Sequence, residues 1–284
     1  MTHADNSASI STYQNRLIGF FDVLGFSKLL TTQDIAELHH EYAALIDRAK
    51  SKIFTSHPIA GSPNPSATQN FEKAHFLFDS LVIVSLPIDA INVKNFIFAT
   101  IQLMEEAFEK AFFLRGCVSL GSFLDDPHRN IFLSREFPAL VTAEKQQEWL
   151  GVFVHPSAEN LVLSELLGPG SISNKHSPLI HYDVPLKNSL VEGRWCLNWP
   201  AFIATPILQK NSGMLISPKR ENTEAFIDFV AGLPDDAAPL PSELLPATHV
   251  RFMKARAGFR TKICDADGFG VVPNRDIKIA VYDR

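Results

Sequence analysis

Two acidic residues stand at the ends of strongly apolar segments. Asp22 ends the run LIGFFD over 17–22, and Asp79 separates the runs FLF and SLVIVS within 76–85. Burying a carboxylate is costly unless the group is paired or bound to a metal ion. A turn capped by the side chain explains either aspartate taken alone. Two such residues favour a shared site, because each interrupts a segment typical of a buried strand.

The chemistry that two carboxylates support is divalent-cation binding. If the segment ending at Asp22 pairs with a hairpin that turns at Asp79, the two side chains converge at one edge of a sheet. Carboxylate oxygens favour Mg²⁺ or Mn²⁺ over zinc, and two such ions typically lie about 3.5 to 4 Å apart. Gly25 permits a tight turn that presents backbone N–H groups to an anion where the next helix begins. The combination suits a triphosphate.

Strand and helix patterns alternate around these residues. The predicted elements are a strand over 16–21, a helix over 34–53, a hairpin over 75–86, a helix over 89–113 and a strand over 115–121. Later in the chain, helices are expected over 136–149, 157–166 and 223–230, and strands over 151–155 and 277–282. Alternating strands and helices of this kind predict an α/β or α+β fold.

The overall composition is that of a folded globular protein. Of the 284 residues, 46% are hydrophobic and 20% are charged, which lies outside the range of wholly disordered chains. The formal net charge is −5, which provides no basic surface for a nucleic-acid backbone. A nucleic-acid partner is therefore not expected.

Cysteine usage and apolar patterning indicate the compartment. The three Cys are an odd number at wide spacings, which argues against a disulfide framework and against a cysteine zinc site. Residues 1–15 are polar, and no stretch reaches the roughly 18 apolar residues of a membrane-spanning helix. A cytoplasmic protein without a membrane segment is predicted.

Three segments resemble those of a known superfamily. Residues 21–27 (FDVLGFS) resemble the F-D-x-x-G-F-[ST] opening of class III nucleotidyl cyclases, and 78–82 (FDSLV) resemble their second metal-binding hairpin. Residues 114–121 (LRGCVSLG) are similar to their R-x-G-x-x-x-G strand. The resemblance implies a ferredoxin-like βααββαβ catalytic core over 14–168. A loose arm over 1–13 would precede it, and a β-rich C-terminal extension over 169–284 would pack on it.

Within the superfamily, the likeness is greatest to the pyrimidine cyclases of bacterial Pycsar antiphage systems. The features that carry this likeness are the Asp-Ser hairpin, the Arg-Gly strand, and the segments 148–151 (EWLG) and 198–200 (NWP). The resemblance implies conversion of UTP to 3′,5′-cyclic UMP and pyrophosphate, with CTP and cyclic CMP as the alternative. The product would be a second messenger for antiphage defence, read by a cyclic-nucleotide effector. A homodimer with composite active sites is also implied.

The resemblance assigns roles to individual residues. Asp22 and Asp79, with the carbonyl of Val23, would hold two divalent cations, Mn²⁺ or Mg²⁺. The backbone amides expected to contact the triphosphate are those of Leu24, Gly25, Phe26 and Ser27. His75 stands where purine cyclases carry a Lys that reads the base, which argues against ATP and GTP. His75 is therefore a candidate base contact, and packing within an aromatic strand is its alternative role.

The chain also departs from the family pattern. Cyclases of this class supply an Asn and an Arg from a later helix to stabilise the transition state, and residues 137–145 contain neither. Arg115, Lys145 and Lys187 are candidate substitutes, with Arg115 favoured as a catalytic residue. Its alternative role is an ion pair with Asp22 or Asp79. A degenerate cyclase-like domain that only binds a nucleotide, and a polymerase or dinucleotide cyclase, are the rival functions.

Overall fold

A mixed sheet of eight strands forms the centre of the described protein, and helices pack on it. The computed structural model describes residues 10–56, 68–167, 175, 177–203 and 205–234. The strands are β1 (Ser11–Val23), β2 (Thr55–Ser56), β3 (Thr68–Gln69), β4 (Phe71–Leu77), β5 (Ser80–Ser85), β6 (Leu114–Asp126), β7 (Ile131–Ser134), β8 (Val152–Val154), β9 (Leu179–Leu186) and β10 (Leu190–Leu197). The helices are α1 (Phe26–Thr32), α2 (Ile35–Lys52), α3 (Ala90–Glu109), α4 (Phe137–Gln146), α5 (Pro156–Leu166), α6 (Thr205–Ser212) and α7 (Lys219–Gly232). The predicted α+β class is confirmed.

The sheet places β1 near its middle. The strand order is β4-β5-β1-β6-β8-β10-β9, and β7 pairs with β6 outside this path. The pairs are antiparallel except for β6 and β8, which run parallel. β2 and β3 form a separate small sheet. Apart from that small sheet, the elements from β1 to β6 follow the whole predicted βααββαβ order, with β6 as its final strand.

The apolar pattern of each segment explains where it lies. Leu17, Ile18 and Phe21 of β1 are fully buried, as expected for a strand covered on both faces. Helix α3 is buried along most of its length and packs against β5 and β6. Helix α4 packs against β1 and β6. Phe20 of β1 contacts the ring of Phe137 on α4, so α4 covers the Phe20 face of the strand.

The chain beyond residue 167 continues the same sheet. Cys196 of β10 pairs with Phe153 of β8, and β9 is the outermost strand. Helix α7 packs its Phe226 ring against Trp149 at a centroid distance of 4.7 Å. Trp199, from the segment 198–200, is fully buried and packs against Phe108 of α3. Trp149 and Trp199 are therefore core residues.

Several predicted boundaries shift or lie beyond the described residues. β1 begins at Ser11, inside the arm expected over 1–13, and residues 1–9 lie outside the described part. The helix predicted over 223–230 is confirmed as α7. The strand predicted over 277–282 also lies outside the described residues, as does the extension beyond 234. Among the described helices, none combines the length and apolar character that crossing a bilayer requires.

Gly116 is a position where the close pairing of β1 and β6 tolerates no side chain. A Cβ there would collide with the Phe20 carbonyl oxygen and the Phe21 ring. We expect Gly116→Ala to lower the free energy of unfolding by about 1–3 kcal/mol, as overpacking does. Urea unfolding followed by circular dichroism measures the change. Gly232→Ala, where nothing lies within 4 Å of an added Cβ, is the matched control and leaves stability unchanged or slightly raised.

Candidate active site

Backbone pairing brings the ends of β1 and the β4–β5 hairpin together. β1 pairs with β5 so that Asp22 lies opposite Ser80, directly after Asp79 in the turn. The Val23 N–H donates to the Asp79 carbonyl oxygen at 2.7 Å. The two aspartates therefore lie on neighbouring strand ends, which is the arrangement that the sequence predicted.

The Phe78–Asp79 turn is held on both sides. Phe78 adopts a left-handed conformation with φ of 54°, and its ring contacts Phe26 at a centroid distance of 5.4 Å. The Ser80 hydroxyl donates to Asp79 Oδ1 at 3.3 Å. These contacts fix the backbone from which the Asp79 carboxylate projects.

Asp22 meets a cation on its other side. β1 pairs with β6 so that Asp22 lies opposite Arg115, and cross-strand partners share a face of the sheet. Arg115 Nη2 lies 3.7 Å from Asp22 Oδ2 and also contacts Glu144 Oε1. Arg115 Nη1 donates to the Gln147 carbonyl at 2.6 Å. Arg115 thus has the ion pair with Asp22 that was its alternative role, and Glu144 is its nearer partner.

Glu144 is the site residue that the sequence reasoning missed. It lies on α4, where Leu140 and Glu144 are the buried residues, and α4 covers the face of β1 that carries Phe20 and Asp22. Spacing gives only a partial signal for Glu144, because it indicates the helix face and not the strand which that face covers. Glu144 follows the apolar Leu140 by four residues, which places both on one face of a helix.

The site concentrates negative charge. The pKa of Asp22 is raised to about 6, first by burial and then by the nearby Glu144, with Arg115 opposing and Asp79 adding to the rise. Burial also raises the pKa of Glu144, against the effect of Arg115. The pKa of the Tyr42 hydroxyl is raised by burial and by Asp79. A single buried guanidinium therefore leaves these carboxylates under-compensated.

The turn after β1 fits only part of the amide prediction. Gly25 has φ of 77° and ψ of 11°, a left-handed conformation that glycine adopts without strain. The Leu24 N–H donates to the Phe113 carbonyl oxygen at 2.8 Å, so this amide is engaged within the protein. The amides of Gly25, Phe26 and Ser27 lie at the start of α1, where N–H groups lack partners inside the helix. Of the four amides expected to contact the triphosphate, only these three are not engaged in this way within the described part of the chain.

His75 is surrounded by groups of its own chain. Its ring stacks on Phe132 of β7 at a centroid distance of 4.8 Å. Its Nε2 lies 3.6 Å from the buried Asp125, which Lys73 also contacts at 3.1 Å. Burial lowers the pKa of His75, and Asp125 opposes this shift. These contacts match the packing alternative, and a base contact by His75 stays a prediction.

The two lysines named as substitutes for the missing Asn and Arg lie on the surface near Glu144. Lys145 follows it on α4, and Lys187 belongs to the short turn between β9 and β10. Both are exposed, and both act against the rise in the pKa of Glu144. They contribute positive potential at the rim of the site, whereas Arg115 is buried within it.

The donor set fits a hard divalent cation. Asp22 and Asp79 supply carboxylate oxygens beside the Val23 backbone. Burial, and then the nearby Glu144, raise the pKa of Asp22, so a bound cation would favour its charged form. Within the described ranges, no three His, Cys, Asp or Glu side chains come together in a cluster that could hold a metal ion by itself. A cation bound here would therefore take its other ligands from backbone, water or substrate oxygens, as Mg²⁺ commonly does.

Comparison with known proteins gives matches among solved structures. No protein-family model matches the chain, and neither does any curated protein. The chain is similar to the adenylyl cyclase CyaB from P. aeruginosa, with a TM-score of 0.44 and 11% identity, over 66% of this chain and 95% of that chain.

Two further structures are similar to the chain. One is the dimeric guanylyl cyclase domain of the RhoGC fusion protein from Blastocladiella emersonii, with a TM-score of 0.40 and 11% identity over 66% of this chain and 97% of that one. The other is a bacterial light-regulated adenylyl cyclase, with a TM-score of 0.44 and 9% identity over 79% of this chain and 59% of that one. With CyaB, all three are adenylyl or guanylyl cyclases.

The raised pKa of Asp22 predicts a pH-dependent stability in the absence of divalent cations. Between about pH 4 and 6 the folded protein binds a proton at Asp22 that the unfolded chain has lost, so stability falls as the pH rises. The Asp22→Asn variant has no ionisable group at this position, so its stability does not fall in this way. We expect the variant to be more stable than the wild type at pH 7.5 by roughly 2 kcal/mol, a value reduced to allow for solvent screening of the partly exposed carboxylate, and the difference to vanish below about pH 4.

Thermal unfolding in EDTA across this pH range measures the difference. Asp47→Asn, at an exposed position on α2, is the control and should follow the wild-type curve. A constant difference between Asp22→Asn and wild type at all pH values would contradict the assignment.

Proposed function

We propose that this protein is a metal-dependent nucleotidyl cyclase that acts on a pyrimidine nucleoside triphosphate, with UTP favoured over CTP. The observation that carries the proposal is the meeting of Asp22 and Asp79 on adjacent strand ends beside Arg115. All three residues belong to the segments that resemble class III cyclases. The reaction converts UTP to 3′,5′-cyclic UMP and pyrophosphate.

The metal-binding residues in this proposal are Asp22, Asp79 and the carbonyl of Val23. Divalent cations held there would lower the pKa of the ribose 3′-hydroxyl and neutralise phosphate charge during attack on the α-phosphorus. The amides of Gly25, Phe26 and Ser27 bind triphosphate oxygens at the start of α1. The glycine conformation at Gly25 supports this, because it turns the chain directly after the metal-binding strand.

Arg115 binds the phosphate oxygens and stabilises the negative charge that develops on them. Its Nη nitrogens contact Glu144, Asp22 and the Gln147 carbonyl, while its buried Nε has no hydrogen-bond partner among the described residues. An unpaired buried N–H is costly, and a phosphate oxygen would satisfy it. Arg115 thereby takes the place of the Asn and Arg that the 137–145 helix lacks.

Assembly as a homodimer with composite sites is part of the proposal. Apolar side chains are exposed at Phe78, in the turn beside Asp79, and at Ile131 and Leu133 on β7. A second copy of the chain would bury these side chains. The cyclic nucleotide product would serve as a second messenger in antiphage defence and act through a cyclic-nucleotide effector.

Nucleotide binding without turnover is the second candidate function. It is favoured by the absence of Asn and Arg in residues 137–145 and by the engagement of Arg115 with Glu144. The excess of carboxylates around Asp22 argues against it, because a binding module needs no buried acids of this kind.

Product analysis with the four ribonucleoside triphosphates tests the activity and the base. Purified protein with Mn²⁺ is expected to release a cyclic monophosphate and pyrophosphate from UTP, more slowly from CTP, and not from ATP or GTP. Mass spectrometry identifies the products. Binding without product would favour the second candidate, and a dinucleotide or longer product would indicate a different phosphoryl transferase.

Removing either aspartate tests the metal site. We expect Asp22→Ala and Asp79→Ala each to lower kcat by at least about 100-fold, because charge stabilisation in the transition state is lost. Asp47→Ala, which removes an exposed acid on α2, keeps wild-type turnover. Circular dichroism checks that the variants fold. Turnover in a folded Asp22→Ala or Asp79→Ala variant would refute the assignment.

Replacing His75 tests its two roles. A base contact predicts that His75→Ala raises KM for the pyrimidine nucleotide about tenfold, the effect of one hydrogen bond, with little change in melting temperature. A packing role predicts a lower melting temperature and little change in KM, because the stacking on Phe132 is lost. Steady-state kinetics and thermal unfolding of the same preparation separate these outcomes.

A further inference from the structure

Glu144 is a buried acid that the proposed reaction does not use. Its side chain is 2% exposed, and it contacts Arg115 Nη2. The same nitrogen lies 3.7 Å from Asp22 Oδ2. Two carboxylates therefore compete for one cationic group, and Glu144 is the nearer of the two.

A second set of contacts holds the guanidinium on the Glu144 side. Arg115 Nη1 donates to the Gln147 carbonyl at 2.6 Å, just beyond the end of α4. Gln147 is fully buried, and its Nε2 donates to the Gly116 carbonyl at 2.9 Å. Its Oε1 accepts from Trp149 Nε1 at 2.9 Å. Arg115 is thus anchored by groups other than Asp22.

The charges around Arg115 explain what this arrangement does. If Glu144 were neutral, it would no longer compete for Arg115, and Arg115 would pair with Asp22 alone. A cation approaching Asp22 and Asp79 would then have to displace an existing ion pair. Groups that orient metal ligands from outside the coordination shell commonly change metal affinity about 10- to 100-fold.

We propose that Glu144 is a positioning residue that binds Arg115 and so leaves Asp22 available to a divalent cation together with Asp79. The proposal rests on the metal site of the proposed function. It does not depend on turnover or on the identity of the nucleotide.

Mn²⁺ affinity of the full-length protein without nucleotide tests the proposal. Electron paramagnetic resonance of free Mn²⁺ gives the dissociation constant. We expect Glu144→Gln to raise it about 10-fold or more. The matched control is Glu106→Gln, which breaks the Arg48–Glu106 pair between α2 and α3, at 2.9 Å, and leaves Mn²⁺ affinity unchanged.

A double variant separates positioning from direct ligation. Arg115→Gln/Glu144→Gln removes both competing groups, so Mn²⁺ affinity should return to within about twofold of wild type. If Glu144 were a metal ligand, the double variant would stay as weak as Glu144→Gln, and the proposal would be overturned. It would also be overturned if folded Glu144→Gln bound Mn²⁺ like wild type. Should Glu144→Gln fail to fold, the double variant decides by the same criterion.

The Mn²⁺ measurements also separate this proposal from the proposed function. Wild-type binding that is lost in Asp22→Asn establishes the metal site on its own. If Mn²⁺ binds in this way but no nucleotide is cyclised, the proposed function fails and the role of Glu144 is still decided by the affinities. If wild type shows no binding that depends on Asp22, the metal site and the role of Glu144 fail together.

Discussion

A buried charge imbalance at the end of β1 is the constraint on which the rest of the site depends. Asp22 and Glu144 both contact one buried guanidinium, that of Arg115, and Asp79 adds further negative charge beside Asp22. Strand pairing produces this imbalance, because the register that buries the apolar residues of β1 also sets Asp22 beside the Asp79 turn and opposite Arg115. Folding therefore accumulates negative charge at one point, and a divalent cation would offset much of its cost.

Elements determined by their own periodicity were predictable from the sequence. The strand ending at Asp22, the helix α3 and the hairpin turning at Asp79 each carry a local apolar pattern, and all are confirmed. The proximity of the aspartates followed, since a strand and a hairpin that pair at their ends must bring those ends together. These inferences needed no knowledge of how distant helices pack.

Features that depend on tertiary packing were not predictable. Glu144 reaches Arg115 only because α4 covers the Phe20 face of β1, and no local pattern indicates which face a helix will cover. His75 is similar, because Phe132 and Asp125 reach it from the β6–β7 hairpin. The engagement of the Leu24 amide by Phe113 depends on where α3 ends relative to β1. In each case the missing information is the contact between separated segments.

The packing of Trp149 has a consequence for the extent of the functional unit. Trp149 donates to Gln147, which holds Arg115, and its ring packs against Phe226 of α7. Thr223 and Asn222 of α7 also hydrogen-bond to the backbone of Leu150 and Glu148. A fragment that ended at residue 167 would lack Phe226, so the Trp149 ring would be exposed. The hydrogen bonds through which Trp149 and Gln147 hold Arg115 would then be weakened. A fragment that preserves the arrangement of Arg115, Asp22 and Glu144 must therefore include α7.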